Sequence, residues 1–299
     1  MPRLFSAYVI VDWSAAAKPT TGADSVWIGV LKRDVRFRLA FESFNPATRA
    51  EAEKRLTLIL DDLKKRSERV LVGFDFPLGF PRGFAAALNL PGEPWRAAWD
   101  QLDKMVKDKA DNTNNRFNVG AQLNRRLTES PFPFWGAPPK DVQTTLQPKK
   151  TREHGPGDLP EFRHADLAAK GAASIWKLYY NGSVGGQAIM GMPVVSRIKA
   201  ARGDGAKTWP FETGFKALTE ADLDGVDVVM AEVYPSLVKA PALPGEVKDL
   251  TQVRTTAEFF ARLDEADKLG PMFGPAKTMA AEAVLDAERE EGWILNAGA

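Results

Sequence analysis

Three short apolar runs each stop at a carboxylate, and their order constrains the fold more than any other feature. Residues 4–11 run into Asp12, residues 70–74 into Asp75, and residues 226–231 into Glu232. Runs of this length, rich in valine and isoleucine, read as buried strands.

The chain between and around them fills in the frame. Residues 25–31 predict a second strand. Residues 35–41 alternate apolar and polar and predict a third, half-exposed one. The link Lys32-Arg33-Asp34 is short enough for a hairpin. Asn45-Pro46-Ala47-Thr48 opens a helix capped by Thr48 or Asn45, and Leu56, Ile59, Leu60 and Leu63 recur at helical spacing. Lys64-Lys65-Arg66 suits the negative end of that helix. A strand, a helix and a further strand predict a right-handed parallel crossover.

Residues 82–222 are less regular. Helices are expected over residues 95–109, 165–180 and 187–202, the last interrupted near Pro193. Residues 111–160 carry many Asn, Pro and Gly. Phe132, Phe134 and Trp135 demand burial, so this stretch reads as an elaborated insertion rather than as disorder. Two more helices are expected at about 255–268 and 276–291. The whole chain, 1–299, reads as one domain with its insertion between the fourth and fifth strands.

Composition removes several chemistries. Cysteine is absent, which excludes disulfides, a cysteine nucleophile, thiolate zinc and cysteine-held iron–sulfur clusters. Two histidines, His154 and His164, exclude a three-histidine zinc site within one chain. A net charge of +1 lacks the signature of a nucleic-acid packager. The N-terminal apolar stretch is too short for a signal-peptide core, and no apolar run reaches ~18 residues. The expectation is a cytoplasmic protein with no membrane partner.

The order strand, strand, strand, helix, strand, insertion, strand, helix is that of a ribonuclease H-like mixed sheet, with antiparallel hairpin strands beside parallel ones. The first strand would lie at the centre. Neighbouring strands are about 4.8 Å apart, so carboxylates at their ends converge. Like charges that close are unfavourable unless a cation lies between them or one holds a proton. Mg²⁺ or Mn²⁺ suits such oxygen ligands, and paired ions stabilise both oxygens in phosphodiester cleavage. Asp12, Asp75 and Glu232 are the expected metal ligands and catalytic acids. A fourth acid is expected from a late helix, where Asp264 and Asp267 are the available pair.

The segments around these acids resemble an uncharacterised family of predicted RNase H-like nucleases. The resemblance rests on Val11-Asp12-Trp13-Ser14, Asp75-Phe76-Pro77-Leu78-Gly79 and Glu232-Val233-Tyr234-Pro235. It extends to residues 174–178, 182–185 and 191–193, and to the closing Glu290-Glu291-Gly292-Trp293-Ile294-Leu295. It implies a ribonuclease H-like fold and metal-dependent phosphodiester hydrolysis with Asp12, Asp75 and Glu232 as acids. The partner expected is a nucleic acid or nucleotide-like phosphodiester, small or structured, because a long duplex demands a broad basic surface.

Two other functions fit the same frame. The sheet also underlies actin-like and sugar-kinase-like phosphotransferases, although those want Gly and Thr soon after the first acid, where this chain has Trp13-Ser14-Ala15-Ala16. A non-catalytic nucleotide- or protein-binding module is the third. Substrate contacts are expected from Arg116 and Asn124, in a basic helix without acids, and from Lys177 and Ser183 beside a glycine-rich turn. Packing or solvation explains each of these almost as well. His164 is a candidate acid or base.

Overall fold

The computed structural model describes residues 3–36, 38–239 and 241–297. Its strands are β1 (Ala7–Asp12), β2 (Trp27–Arg33), β3 (Leu39–Phe44), β4 (Val70–Phe74), β5 (Ala206–Thr208) and β6 (Val228–Glu232). Its α-helices are α1 (Arg49–Lys65), α2 (Phe84–Ala87), α3 (Pro94–Met105), α4 (Arg116–Thr128), α5 (His164–Ala168), α6 (Gly185–Arg202), α7 (Lys248–Glu265), α8 (Leu269–Met272) and α9 (Ala281–Asp286).

The strands form one mixed sheet in the order β3-β2-β1-β4-β6-β5. The hairpin strands β2 and β3 run antiparallel on one side of β1. On the other side β4 pairs parallel to β1, β6 parallel to β4 and β5 parallel to β6. The central strands are buried along their whole length, as parallel strands covered on both faces must be.

Alternation along β1 divides the core into two layers. Ala7, Val9 and Val11 face a layer built from α1, α3 and α6. Tyr8 and Ile10 face the opposite layer, built on Val253, Ala257 and Phe260 of α7. At about 25 cal/mol per Å² of apolar surface removed from water, these two layers supply the main driving force for the fold.

Local signals set several elements. Thr48 accepts the Glu51 amide hydrogen bond while Glu51 reaches back to the Thr48 amide, a complete capping box for α1. Strand β4 spans the expected residues. The third strand begins at Leu39, later than the expected 35, and Phe37 lies outside the described residues.

Three expectations are corrected. Residues 165–180 are not one helix: α5 ends at Ala168, and Gly171 turns the chain at φ +88°. Beyond it the backbone pairs with a distant segment, the Trp135 amide donating to Trp176 and the Leu178 amide to Trp135. Helix α6 runs through Pro193 without a break, because it is apolar and buried on nearly every side. A sixth strand, β5, lies inside the irregular middle. Among the described residues no helix is long and apolar enough to cross a membrane.

Candidate active site

Strand register decides which acids meet. Val11 pairs with Phe74, and Phe74 with Glu232, so these three share one row across the sheet. Asp12 and Asp75 lie one residue further on. A one-residue offset puts a side chain on the opposite face. Asp12 and Asp75 therefore turn toward the α7 side, and Glu232 away from it.

Asp12 and Asp75 are hydrogen-bonded to each other. The Trp13 amide donates to Asp75 Oδ1 at 2.7 Å, which fixes the second carboxyl in place. Asp12 is 9% exposed. Burial raises its pKa well above the ordinary aspartate value, and the neighbouring charges of Asp75 and Asp249 raise it further. Burial likewise pushes Asp75 up to about 7, against the pull of the Trp13 amide. The pair holds a proton under conditions where an ordinary carboxylate has lost it.

The late-helix acid near this pair is Asp249, in the first turn of α7, and not the expected Asp264. Its charge acts on both members of the pair. Its own pKa is raised, first by burial, although it accepts the Asp24 amide at 2.7 Å. The expected helix start at about 255 left Asp249 in a loop, which hid it. The visible signal was an acid in the first turn of an amphipathic helix, where acids suit the helix dipole.

Asp264 is a structural residue at the far end of β1. Its carboxylate accepts the Leu4 and Phe5 amides at 2.8 Å each and the Tyr8 hydroxyl at 2.7 Å. Asp267 follows the end of α7 with φ +57°.

Glu232 is committed to an ion pair. Both its oxygens accept from Arg163, at 2.7 Å each, and the Leu78 amide donates to one of them. Arg163 is fully buried and also grips Asp166. Burial opposes the arginine charge, but the two carboxylates outweigh it and hold its pKa well above the ordinary value. As a metal ligand beside Asp12 Glu232 is thus corrected: both its oxygens are engaged by Arg163, and the strand register sets it on the other face of the sheet from Asp12.

The acidic pair opens into a cavity of about 990 Å³ at the carboxyl ends of the parallel strands. This is where open α/β sheets bind ligands. Trp13, Arg116, Ser183, Gln187 and Lys248 line it with the acids. Gln187 donates to the Trp13 carbonyl at 2.7 Å and ties the start of α6 to the end of β1. A smaller recess of about 230 Å³ adjoins it, sharing Asp75, Ser183 and Gln187 and reaching Glu232.

The expected substrate contacts divide. Arg116 and Ser183 line the cavity. Asn124 does not: it is fully buried, its amide donates to the carbonyls of Phe134 and Thr145, and its oxygen accepts the Phe134 amide. It is a brace inside the insertion. Lys177 donates to the Asn181 carbonyl and lies over the Trp135 ring, outside the cavity lining. His164 meets Asp286 at 3.1 Å and Arg82, away from the acids.

The motifs that carried the resemblance pack against one another. A Cβ on Gly79 would stand 2.1 Å from the Glu290 carbonyl oxygen, so only glycine fits there. Glu290 accepts the Gly83 and Ala85 amides, and Glu291 accepts those of Arg82 and His164. The Leu295 amide donates to the Glu232 carbonyl. These glutamates cap loop backbone and do not enter the cavity.

Among the described residues, no three Asp, Glu or His side chains stand together closely enough to hold a metal ion. Two adjacent carboxylates do, and Mg²⁺ is often bound by one or two carboxylates, with water and substrate phosphate completing the shell. The donor set fits that kind of ion. No family model matches the chain, and neither a curated protein nor a solved structure matches it.

Proposed function

We propose that this chain is a Mg²⁺- or Mn²⁺-dependent phosphodiester hydrolase, nuclease-like, on a ribonuclease H-like sheet. The single observation that carries the reading is the Asp12–Asp75 pair, held in hydrogen-bond contact at the mouth of a large cavity. Folding alone does not favour such a pair. Buried like charges oppose stability, and groups with displaced pKa values collect at functional sites.

The sheet order supports the architecture. A central β1 lies between an antiparallel hairpin and parallel β4 and β6. An acid closes β1, a second follows β4, and a third opens the helix packed on the opposite face.

In this mechanism Asp12 and Asp75 would hold the cation, with Asp249 close enough to act on its charge. Bound there, a divalent cation polarises a phosphoryl oxygen and lowers the pKa of water. The chain's own part is positional. Trp13 holds the Asp75 carboxyl through its backbone amide, and β1 and β4 fix the two acids in one row at the ends of adjacent strands. Loading requires the shared proton to leave, so binding strengthens as pH rises through about 7.

The test is Mn²⁺ binding by calorimetry together with Mn²⁺-dependent cleavage of bis-p-nitrophenyl phosphate and a short oligonucleotide. Wild type should show both, and the double variant Asp12→Asn, Asp75→Asn should show neither. A wild type that cleaves neither substrate at any Mn²⁺ or Mg²⁺ concentration overturns the reading. So does a double variant that retains cleavage.

A further inference from the structure

The cavity holds a second feature that the acids do not explain. Arg116, at the start of α4, is 6% exposed, yet no carboxylate pairs with it among the described residues. Its Nη1 donates to the Asn114 side chain at 2.9 Å, and its Nε is buried with no partner. Burial pulls its pKa down to about 10, and the nearby Arg49 charge pulls the same way. Arg49 is already satisfied by Asp108, which it meets through two bonds of 2.6 Å. The Phe117 ring, 4.2 Å from the guanidinium, and the charges of Asp141 and Asp108 offset part of this, but a buried cation with one unmet donor and a like charge beside it gains further from an anion.

The guanidinium lies against the first turn of α6. A Cβ built on Gly186 would stand 3.4 Å from Arg116 Nε. No side chain caps this helix of 18 residues, and among the described residues the Gly186 and Gln187 amides have no acceptor. An uncapped helix N-terminus presents free amides and partial positive charge, the arrangement that binds phosphate. Glycine is required at both opening positions. A Cβ would fall 2.0 Å from the Ile175 oxygen at Gly185 and 2.7 Å from the Leu178 oxygen at Gly186. Beside this turn Tyr179 and Tyr180, 40% and 44% exposed, line the same cavity. Exposed aromatic rings beside a phosphate site are the usual platform for a nucleobase.

We propose that Arg116 and the first turn of α6 form a phosphate subsite separate from the reacting centre. The substrate is then a short single-stranded oligonucleotide that carries a second phosphate besides the scissile one. The scissile phosphodiester lies at Asp12 and Asp75, the neighbouring phosphate at Arg116, and a base on the tyrosine rings. The substrate class rests on the hydrolase reading, but the phosphate subsite needs no metal.

The experiment uses the full chain in chelator. Affinity is measured for a thymidine dinucleotide with and without a 5′-phosphate. Wild type should gain at least about tenfold from the added phosphate, roughly 1.4 kcal/mol. Arg116→Gln should lose that gain, and Arg116→Lys should recover part of it. Should Arg116→Gln fail to fold, Ser183→Asp replaces it. Its carboxylate stands in the turn before α6, suits the helix dipole, and should abolish the gain by repulsion. Equal affinity for the two dinucleotides in wild type overturns the subsite, as does an undiminished gain in a folded Arg116→Gln or in Ser183→Asp. Failure of Mn²⁺-dependent cleavage with the phosphate gain intact removes the hydrolase reading alone.

Discussion

Replacing Asp12 by asparagine should stabilise the metal-free protein at alkaline pH. Asparagine keeps the size of the side chain and can still donate to Asp75, while removing the second charge. Burial raises Asp75 from 3.8 to about 7. A group held above its unfolded value keeps its proton longer in the native state. Between pH 4 and 7 the native chain therefore binds more protons than the unfolded one. The contribution of the pair is fully present below about pH 4 and is lost as pH rises through about 7. At about 1.4 kcal/mol per pH unit, that interval is worth at most about 4 kcal/mol. Asp12 itself is raised by burial and then by the Asp75 charge, so Asp12→Asn removes a second group that resists ionisation in the native state, and should gain about 1–3 kcal/mol at pH 8 and less at pH 5. Urea unfolding of both proteins in chelator at the two pH values measures the difference. An equal effect at both pH values, or a loss at pH 8, refutes the argument that the two charges are forced together.

The structural acids should behave in the opposite way. Asp264→Ala leaves two amides and the Tyr8 hydroxyl without their acceptor, and should lower stability by about 3 kcal/mol or more at pH 7, read by the same unfolding assay. Arg163→Met strands Glu232 and Asp166 as buried carboxylates and should destabilise by about 3–5 kcal/mol at neutral pH, with less loss at pH 4, where they can take up protons. Gly79→Ala drives a methyl group into the Glu290 backbone and should abolish the cooperative thermal transition; a normal melting curve would show that this contact can open.

What the sequence disclosed depended on whether a signal was local. The capping box of α1 lies within four residues, and the residues of β4 announce a buried strand by themselves. Asp12 and Asp75 were legible because each closes a strand that can be read alone. Segment 165–180 was not, because its backbone is held by Trp135, some forty residues away. Strand β5 has three residues with Lys207 in the middle, too few to show a period. Glu232 was misread for a geometric reason: one residue of register turns it to the other face, and register becomes visible only when strands pair. Arg163, its partner, stands in a loop-rich stretch with no periodic signal.

Helix α7 also works as a gauge. Asp264, near its end, grips the chain just before β1, and Asp249, in its first turn, stands over the finish of that strand. The fifteen residue steps from one to the other span about 22 Å of helix. The chain from Leu4 through β1 to Asp12, if fully extended, covers at most about 26 Å. The two lengths match closely enough for one helix to clasp both ends. The match sets a tolerance on the chain's length. One residue inserted within α7 would turn Asp249 by about 100° relative to Asp264. The grip on Leu4 and Phe5 would hold while the acid swung away from Asp12. A length change in this helix, distant from the cavity in most of its course, would thus disarm the site and leave the sheet standing.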